Sequence, residues 1–291
     1  MKVTQMSTYR SIQYNLDKNS NTLNELYTQS ATGKQLQRSS DDPSAIGPVL
    51  SSRSQIERSD RNLESIASTQ DDLNILDSYL DSAENLLVRA KEIAISGING
   101  ALSAEDMQTL ADEVTYLQTA MLDIANAKVD SKYIFSGYAE FTKPFSGDPV
   151  AYNGSSDHQL VEISPGQSVQ NNLTGDELFM SPTDIFATLD NLETALRSGD
   201  PNSVEVELDN LSVASEQVLG KRAKMGNINS HLDDVATVTL NVKLQMQEKL
   251  SRYEDADLVE VLSEITQAEQ AFEAALTVSA RVSQLSILDY L

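Results

Sequence analysis

Apolar residues recur at three- and four-residue steps over the last 34 residues of the chain. This spacing places them on one face of an α-helix. Neither Gly nor Pro occurs from Asn227 onward to interrupt the pattern, and Asp257 with Glu260 matches a capping box at the start of the helix. The apolar positions of this helix are Leu258, Val261, Leu262, Ile265, Ala268, Phe272, Ala275, Leu276, Ser279, Val282 and Leu285. No later sequence covers the stripe, so we expect this helix to need partners.

A second apolar series lies near the start of the chain and predicts another amphipathic helix. Its members are Met6, Tyr9, Ile12, Leu16, Leu23, Leu26 and Tyr27. Gly33 is expected to end this helix, and Pro43 to begin the next one behind an Asp41 or Asp42 cap. Residues 1–40 hold five Lys or Arg, whereas residues 255–291 hold seven carboxylates against one Arg. The two terminal helices should therefore attract each other, within or between chains.

The middle of the chain predicts helices on both sides of a small insert. Helical periodicity runs over about 49–96, 104–131 and 202–253, with a shorter helix at 183–196. Gly47 and Pro48 are expected to disturb the first turns of the second helix. Residues 133–201 hold most of the Pro and Phe residues, with a hairpin turn predicted at 152–155 and a strand at 158–163. The predicted fold is mainly α, an elongated helical bundle with a β-rich insert.

Five segments follow from this pattern. They are an N-terminal assembly helix and loop, the first half of a helical rod, the β-rich insert, the second half of the rod and a C-terminal assembly helix. Their expected ranges are 1–42, 43–132, 133–182, 183–254 and 255–291.

Composition excludes several kinds of chemistry. The chain has no Cys, so it has neither disulfides nor thiolate metal sites. A net charge of −23 argues against nucleic acid and anionic membranes as main partners. No signal peptide and no transmembrane helix are expected. His158 and His231 are expected at the surface, and no catalytic, cofactor or metal site is predicted.

Four stretches of sequence resemble a known family. The chain opens MKVTQM, residues 30–36 read SATGKQL and lead to Ser40-Asp41-Asp42-Pro43, residues 133–137 read YIFSG, and the last ten residues read VSQLSILDYL. Together these are similar to the flagellin superfamily. The opening and the Leu-Asp-Tyr-Leu ending resemble its hook-associated members more than the filament-forming flagellins. The chain departs from the family pattern at Gln35, where a basic residue is usual, and at the displaced Gly47.

The resemblance implies a flagellin-like bundle whose terminal helices form a coiled coil on assembly. It implies a non-enzymatic, structural component of the bacterial flagellum, secreted by the flagellar type III export apparatus without a cleaved signal. This component would join the hook to the filament. The implied partners are other copies in a ring, hook-associated protein 1, flagellin, the export apparatus and an export chaperone that holds the C-terminal helix.

Two sets of residues are predicted to serve these contacts. Assembly and chaperone-binding candidates are Met6, Tyr9, Ile12, Leu16, Leu23, Leu26, Leu258, Leu262, Ile265, Phe272, Leu276, Val282 and Leu285. The loop of the family motif holds Gly33, Lys34, Asp41, Asp42 and Pro43. Three alternatives remain: a short flagellin that forms the filament itself, a cytoplasmic coiled-coil scaffold, and an enzyme in the insert that uses His158 and nearby carboxylates.

Overall fold

The computed structural model describes the backbone of residues 5–99 and 102–288, and the side-chain surroundings of residues 7, 9–99 and 102–281. Six α-helices account for most of these residues. They are α1 (Gln5–Thr32), α2 (Pro43–Ile98), α3 (Ala104–Ala125), α4 (Ile185–Ser198), α5 (Pro201–Glu254) and α6 (Leu258–Leu288). Over the described residues, no helix is both long and apolar enough to cross a membrane.

The chain divides into two units. The terminal unit comprises residues 1–58 and 241–291, and the central unit comprises residues 59–240. Within the terminal unit, α1 pairs with α6, so the two ends of the sequence meet as expected. Three of the four boundaries between the predicted segments fall between elements, whereas the boundary at 132/133 divides β2. The two units divide α2 and α5 within their lengths. The five-segment division remains a prediction.

Three antiparallel hairpins form the insert between α3 and α4. Their strands are β1 (Lys128–Val129), β2 (Lys132–Tyr133), β3 (Phe145–Ser146), β4 (Ala151–Tyr152), β5 (Leu160–Ser164) and β6 (Gln167–Gln170). In the longest hairpin Val161 lies opposite Val169, and a turn at Pro165-Gly166 joins the two strands. A single π-helical turn at Asp176–Met180 then leads to α4.

Buried aromatic side chains join the insert to the helices of the central unit. The Phe179 ring lies 5.3 Å from Phe135, 5.4 Å from Phe145 and 5.7 Å from Phe186, measured between centroids. Gly175 allows this packing, because a Cβ there would lie 2.5 Å from the Phe145 ring. The cluster is continuous with the apolar core of α2, α3, α4 and α5. The insert is therefore packed on the helices through its phenylalanines.

Two expectations about local structure are wrong. Gly47 and Pro48 do not disturb the second helix, which runs without a break from Pro43. Pro48 has no N–H, so the helix lacks the hydrogen bond to the carbonyl group one turn earlier. Pro48 lies close to the start of the helix, where this loss is tolerated. The helix predicted at 104–131 is shorter, because α3 ends at Ala125 and β1 begins at Lys128.

The predicted hairpin turn at 152–155 is also wrong. Tyr152 ends β4, and the turn of that hairpin lies before it, at residues 147–150. The Tyr152 hydroxyl instead donates its single proton in a hydrogen bond shared between the carbonyl oxygens of Phe135 and Ser155, at 3.0 and 2.8 Å. The Asn153-Gly154 pair thus allows the chain to fold back over the Tyr152 ring, rather than joining two strands.

Replacing Phe179 tests the role of the aromatic cluster. Phe179→Ala removes a fully buried ring that contacts three others, so we expect the free energy of unfolding to fall by about 3–5 kcal/mol. Phe141→Ala is the matched control, because Phe141 is 78% exposed and its loss should change stability by less than about 0.5 kcal/mol. Urea denaturation followed by far-UV circular dichroism measures both. Equal losses in the two variants would contradict this role.

Candidate assembly surface

The paired terminal helices bury a narrow seam of side chains. On α6 the buried and half-buried positions alternate in steps of four and three residues. A set of α1 positions has the same spacing, and Ser20 and Gln29 beside it are half-buried as well. The α6 positions are Val261, Ile265, Ala268, Phe272, Ala275 and Ser279, and the α1 positions are Ile12, Leu16, Asn19, Leu23, Leu26 and Ser30. Alternating steps of four and three residues repeat every seven residues, which is the spacing of a coiled-coil seam. Leu26, Val261 and Ile265 are the buried residues of the seam, and they lie near its end beside the loop that follows α1.

A polar contact follows the same pairing. The Tyr27 hydroxyl donates a 2.6 Å hydrogen bond to Oε1 of Glu269, and this bond raises the pKa of Tyr27. The pair joins α1, whose two basic and two acidic residues balance, to the acidic α6. Because both side chains are largely exposed, this contact adds little energy and mainly favours one register.

Several predicted assembly residues lie outside the seam. Leu258, Leu262 and Leu276 are exposed by 47%, 56% and 46%, and Tyr9 by 58%. Leu262 and Leu276 each follow a seam residue by one position, which turns them about 100° around the helix. The stripe read from the sequence as a single face is therefore two: a seam that packs on α1 and a row of apolar side chains that faces outward.

The remaining assembly candidates either belong to the seam or have side chains that the structure does not describe. Ile12, Leu16, Leu23 and Phe272 are half-buried members of the seam. The side chains of Met6, Val282 and Leu285 lie outside the described residues.

The loop of the family motif holds its own shape through its aspartates. Gly33 ends α1 with φ at +69°, a conformation that favours Gly over other residues. Asp41 accepts hydrogen bonds from the backbone N–H groups of Gln37 and Arg38, at 3.1 and 2.7 Å. Asp42 caps α2 by accepting from the N–H of Ser44 at 2.8 Å, directly before Pro43. The Asp-Asp-Pro motif thus shapes the loop and begins the helix.

These hydrogen bonds also shift the acidity of both aspartates. The Arg38 N–H lowers the pKa of Asp41, and the Ser44 hydroxyl and N–H lower that of Asp42. Both carboxylates are therefore ionised at neutral pH, which suits their role as acceptors.

Backbone hydrogen bonds join the loop to the junction between α5 and α6. The Ala256 N–H donates to the Gly33 carbonyl oxygen at 2.9 Å, and the Gln35 N–H donates to that of Glu254 at 2.9 Å. Lys34 forms an antiparallel bridge with Asp255. The end of α1 and the start of α6 are thus fixed to each other at this point.

The Glu254 carboxylate strengthens the same junction. Its side chain is 4% exposed and accepts hydrogen bonds from Lys34 and, at 2.9 Å, from Nη2 of Arg53. Burial alone would raise the pKa of Glu254, but the hydrogen bonds from the two cations outweigh it and lower the pKa. Sequence reasoning missed Glu254 and Arg53, because they lie 201 residues apart and no periodicity connects them.

Both histidines of the chain lie in the central unit. Nδ1 of His158 lies 2.8 Å from Nε2 of Gln170, and its Nε2 lies 3.5 Å from Glu177, whereas His231 is exposed on α5. In a polar cleft on the insert, Glu140 already pairs with Lys132 at 2.6 Å. Within the described part of the chain, no three His, Asp or Glu side chains form a group suited to a metal ion.

Glu254→Gln tests the junction and its pH dependence. Because the folded-state pKa of Glu254 is below the ordinary 4.5, its stabilisation is fully present above pH 4.5 and is lost as the pH falls through the folded-state value. At pH 7 we expect the variant to raise hydrogen-exchange rates of the Gln35 and Ala256 amides about tenfold, or about 1.4 kcal/mol. The two chains should converge at acid pH.

Glu248→Gln is the matched control, because Glu248 is exposed on the same helix. It should leave both amides as protected as in the unchanged chain. Equal protection of these amides in the Glu254→Gln variant at pH 7 would contradict the role of the buried carboxylate.

The first half of the chain matches a known family. Residues 3–140 match the model of the bacterial flagellin N-terminal helical region. That match spans α1, the motif loop, α2, α3 and the first hairpin of the insert.

Whole-length relatives are flagellar proteins. The chain is 26% identical to flagellar hook-associated protein 3 of Escherichia coli strain K12 over 285 residues, covering 89% of this chain and 90% of the relative. It is 23% identical to flagellin FlaB1 of Treponema pallidum strain Nichols, covering 90% of this chain and 89% of the relative.

A solved structure shares the fold. A structure from Vibrio parahaemolyticus, described as a flagellar hook-associated protein, superposes with a TM-score of 0.70 at 22% identity. The superposition covers 74% of this chain and 100% of the Vibrio chain. The resemblance seen in the motifs thus extends along the whole sequence. The chain is therefore similar to flagellar hook-associated protein 3 over about nine-tenths of its length, and its residues 3–140 match the N-terminal helical region of the bacterial flagellins.

Proposed function

We propose that this protein is a structural, non-enzymatic component of the bacterial flagellum that joins the hook to the flagellin filament. The observation that carries the proposal is the outward row of apolar side chains on α6, beside a seam already filled by α1. Leu258, Leu262 and Leu276 are each close to half exposed on a helix that begins next to the fixed loop junction. Apolar side chains grouped on one exposed face mark an interaction surface.

The partners follow from this role. In the assembled flagellum the outward row contacts neighbouring copies in a ring, with hook-associated protein 1 on one side and flagellin on the other. Before assembly the chain leaves the cell through the flagellar type III export apparatus. An export chaperone covers the row on α6 until then. Similarity over nine-tenths of the chain to a hook-associated protein supports this reading.

A short flagellin is the second candidate, and similarity to flagellin FlaB1 favours it. A flagellin would polymerise at length from the purified protein alone, whereas a junction component would stop at a short ring. A cytoplasmic coiled-coil scaffold would be absent from sheared flagella. An enzyme in the insert would lose activity on replacement of His158 while assembly continued.

Deleting the gene tests the proposed function directly. Without the junction, flagellin has no surface on which to polymerise, so cells should keep hooks, lose motility and release unassembled flagellin into the medium. Electron microscopy of sheared hooks and immunoblotting of the medium measure this. Filaments of normal length on the deletion strain would contradict the proposal, and so would loss of the hooks themselves.

Leu262→Asp tests the outward row of α6 in that strain. The side chain is 56% exposed, so the variant should keep the helical content of the unchanged chain while a charge disrupts the apolar contact. We expect the amount of the variant in isolated flagella to fall at least tenfold, and the motility of the cells to fall at least tenfold as well. Ser263→Asp adds the same charge at the next exposed position and should restore motility. Equal motility of the two variants would count against a role for the row.

A further inference from the structure

A pair of exposed aromatic residues projects from the insert of the central unit. Tyr138 is 60% exposed and Phe141 is 78% exposed, and the exposed Lys143 follows them. We call Tyr138, Phe141 and Lys143 the aromatic knob. Large aromatic side chains that are exposed to water are energetically costly, and they are typical anchors of protein interfaces.

The loop that carries the knob is held in a fixed conformation. The Tyr133 N–H donates to the Glu140 carbonyl oxygen at 2.8 Å, and the Thr142 N–H donates to that of Ala139 at 2.8 Å. Nε2 of Gln159 donates to the Gly137 carbonyl oxygen at 3.1 Å. Because the loop is ordered before binding, little conformational entropy is lost when the knob docks.

A groove of about 320 Å³ lies elsewhere on the same unit, between α3, α4 and the turn at 147–150. Its floor is apolar, with Leu122, Val150 and Phe186, and the exposed Asp148 and Asp190 stand at its rim. We call it the acidic groove. Its volume is at the low end of ligand pockets, which suits one or two inserted side chains. Phe141 does not fill this groove in its own chain, since its ring is exposed.

Charge indicates which surface meets the knob. Residues 128–143 hold three Lys against two carboxylates, whereas the rest of the central unit holds 28 Asp and Glu against seven Lys and Arg. Residues 128–143 therefore carry a net positive charge on a unit that is otherwise strongly negative. Such a segment is repelled by basic partners and attracted to the acidic surface of a second copy. The acidic groove combines that charge with an apolar floor for the rings.

We propose that the aromatic knob of one copy docks into the acidic groove of the next. Knob and groove are different patches of one unit, so the contact is head-to-tail and repeats from copy to copy around a ring or along a helix. This inference rests on the proposed function, which supplies neighbouring copies in the flagellum. It assigns the insert a role in lateral assembly that is separate from that of the terminal helices.

Cysteine cross-linking tests the contact, because the natural chain contains no Cys. The full-length double variant Thr142→Cys/Asn191→Cys carries one thiol beside the knob and one on the groove wall. It is expressed in the deletion strain, and isolated flagella are treated with a short bismaleimide. We expect a ladder of dimers, trimers and larger multimers, since each chain links to two others. Each single variant should remain monomeric under the same treatment.

Charge reversal provides the matched controls. In the double-cysteine background, Lys143→Glu and Asp190→Lys should each reduce the ladder at least tenfold, and the two together should restore it because the pair is reversed across the interface. Phe141→Ala should also reduce it at least tenfold without changing the thermal unfolding temperature.

Two outcomes would overturn the inference: a flagellum-bound double-cysteine chain that stays monomeric, or single variants that cross-link as well as the double. Absence of the chain from isolated flagella would instead contradict the proposed function, and with it the neighbouring copies that this contact requires.

Discussion

The narrow seam between α1 and α6 is the constraint on which the account depends. A coiled-coil seam buries two positions in seven, and here several of those positions hold small or polar residues, such as Asn19, Ser30 and Ser279. At the end of the seam beside the loop junction, three buried residues form the apolar core of the described pairing. The seam sets how the two helices meet, but it leaves Leu258, Leu262 and Leu276 about half exposed to water. Those side chains are the surface that assembly would cover.

The junction of the motif loop with the end of α5 explains how the narrow seam between α1 and α6 keeps its register. Glu254 is buried between Lys34 and Arg53, and the backbone on either side is paired with the loop. Losing one partner of a buried charge is far more costly than losing an exposed ion pair, so this point resists slippage. The aspartates of the loop add rigidity through local hydrogen bonds. The terminal helices therefore start from a fixed point and depend on contacts along their length.

The sequence predicts the helical elements well because apolar periodicity reports directly on helix faces. The meeting of α1 with α6, the Gly33 terminator and the Asp42 cap were all predictable from residue type and spacing. Other features were not. Leu262 and Ile265 belong to one stripe by hydrophobicity. Only the three-dimensional structure shows that Ile265 is buried in the seam whereas Leu262 faces outward. Glu254 and Arg53 are unremarkable in the sequence, since their pairing depends on how distant segments meet. The hairpin error at 152–155 has the same origin, because Tyr152 uses its hydroxyl for tertiary contacts.

The central claim is that the terminal helices gain their missing burial on assembly. Limited proteolysis of the chain, free in dilute solution and bound in isolated flagella, tests it most directly, with the fragments identified by mass spectrometry. The account predicts that mild protease removes about forty residues from each end of the free chain, because the seam alone stabilises them weakly. The flagellum-bound chain should keep both ends under the same digestion. Termini that are equally protected in the dilute free chain would contradict the claim.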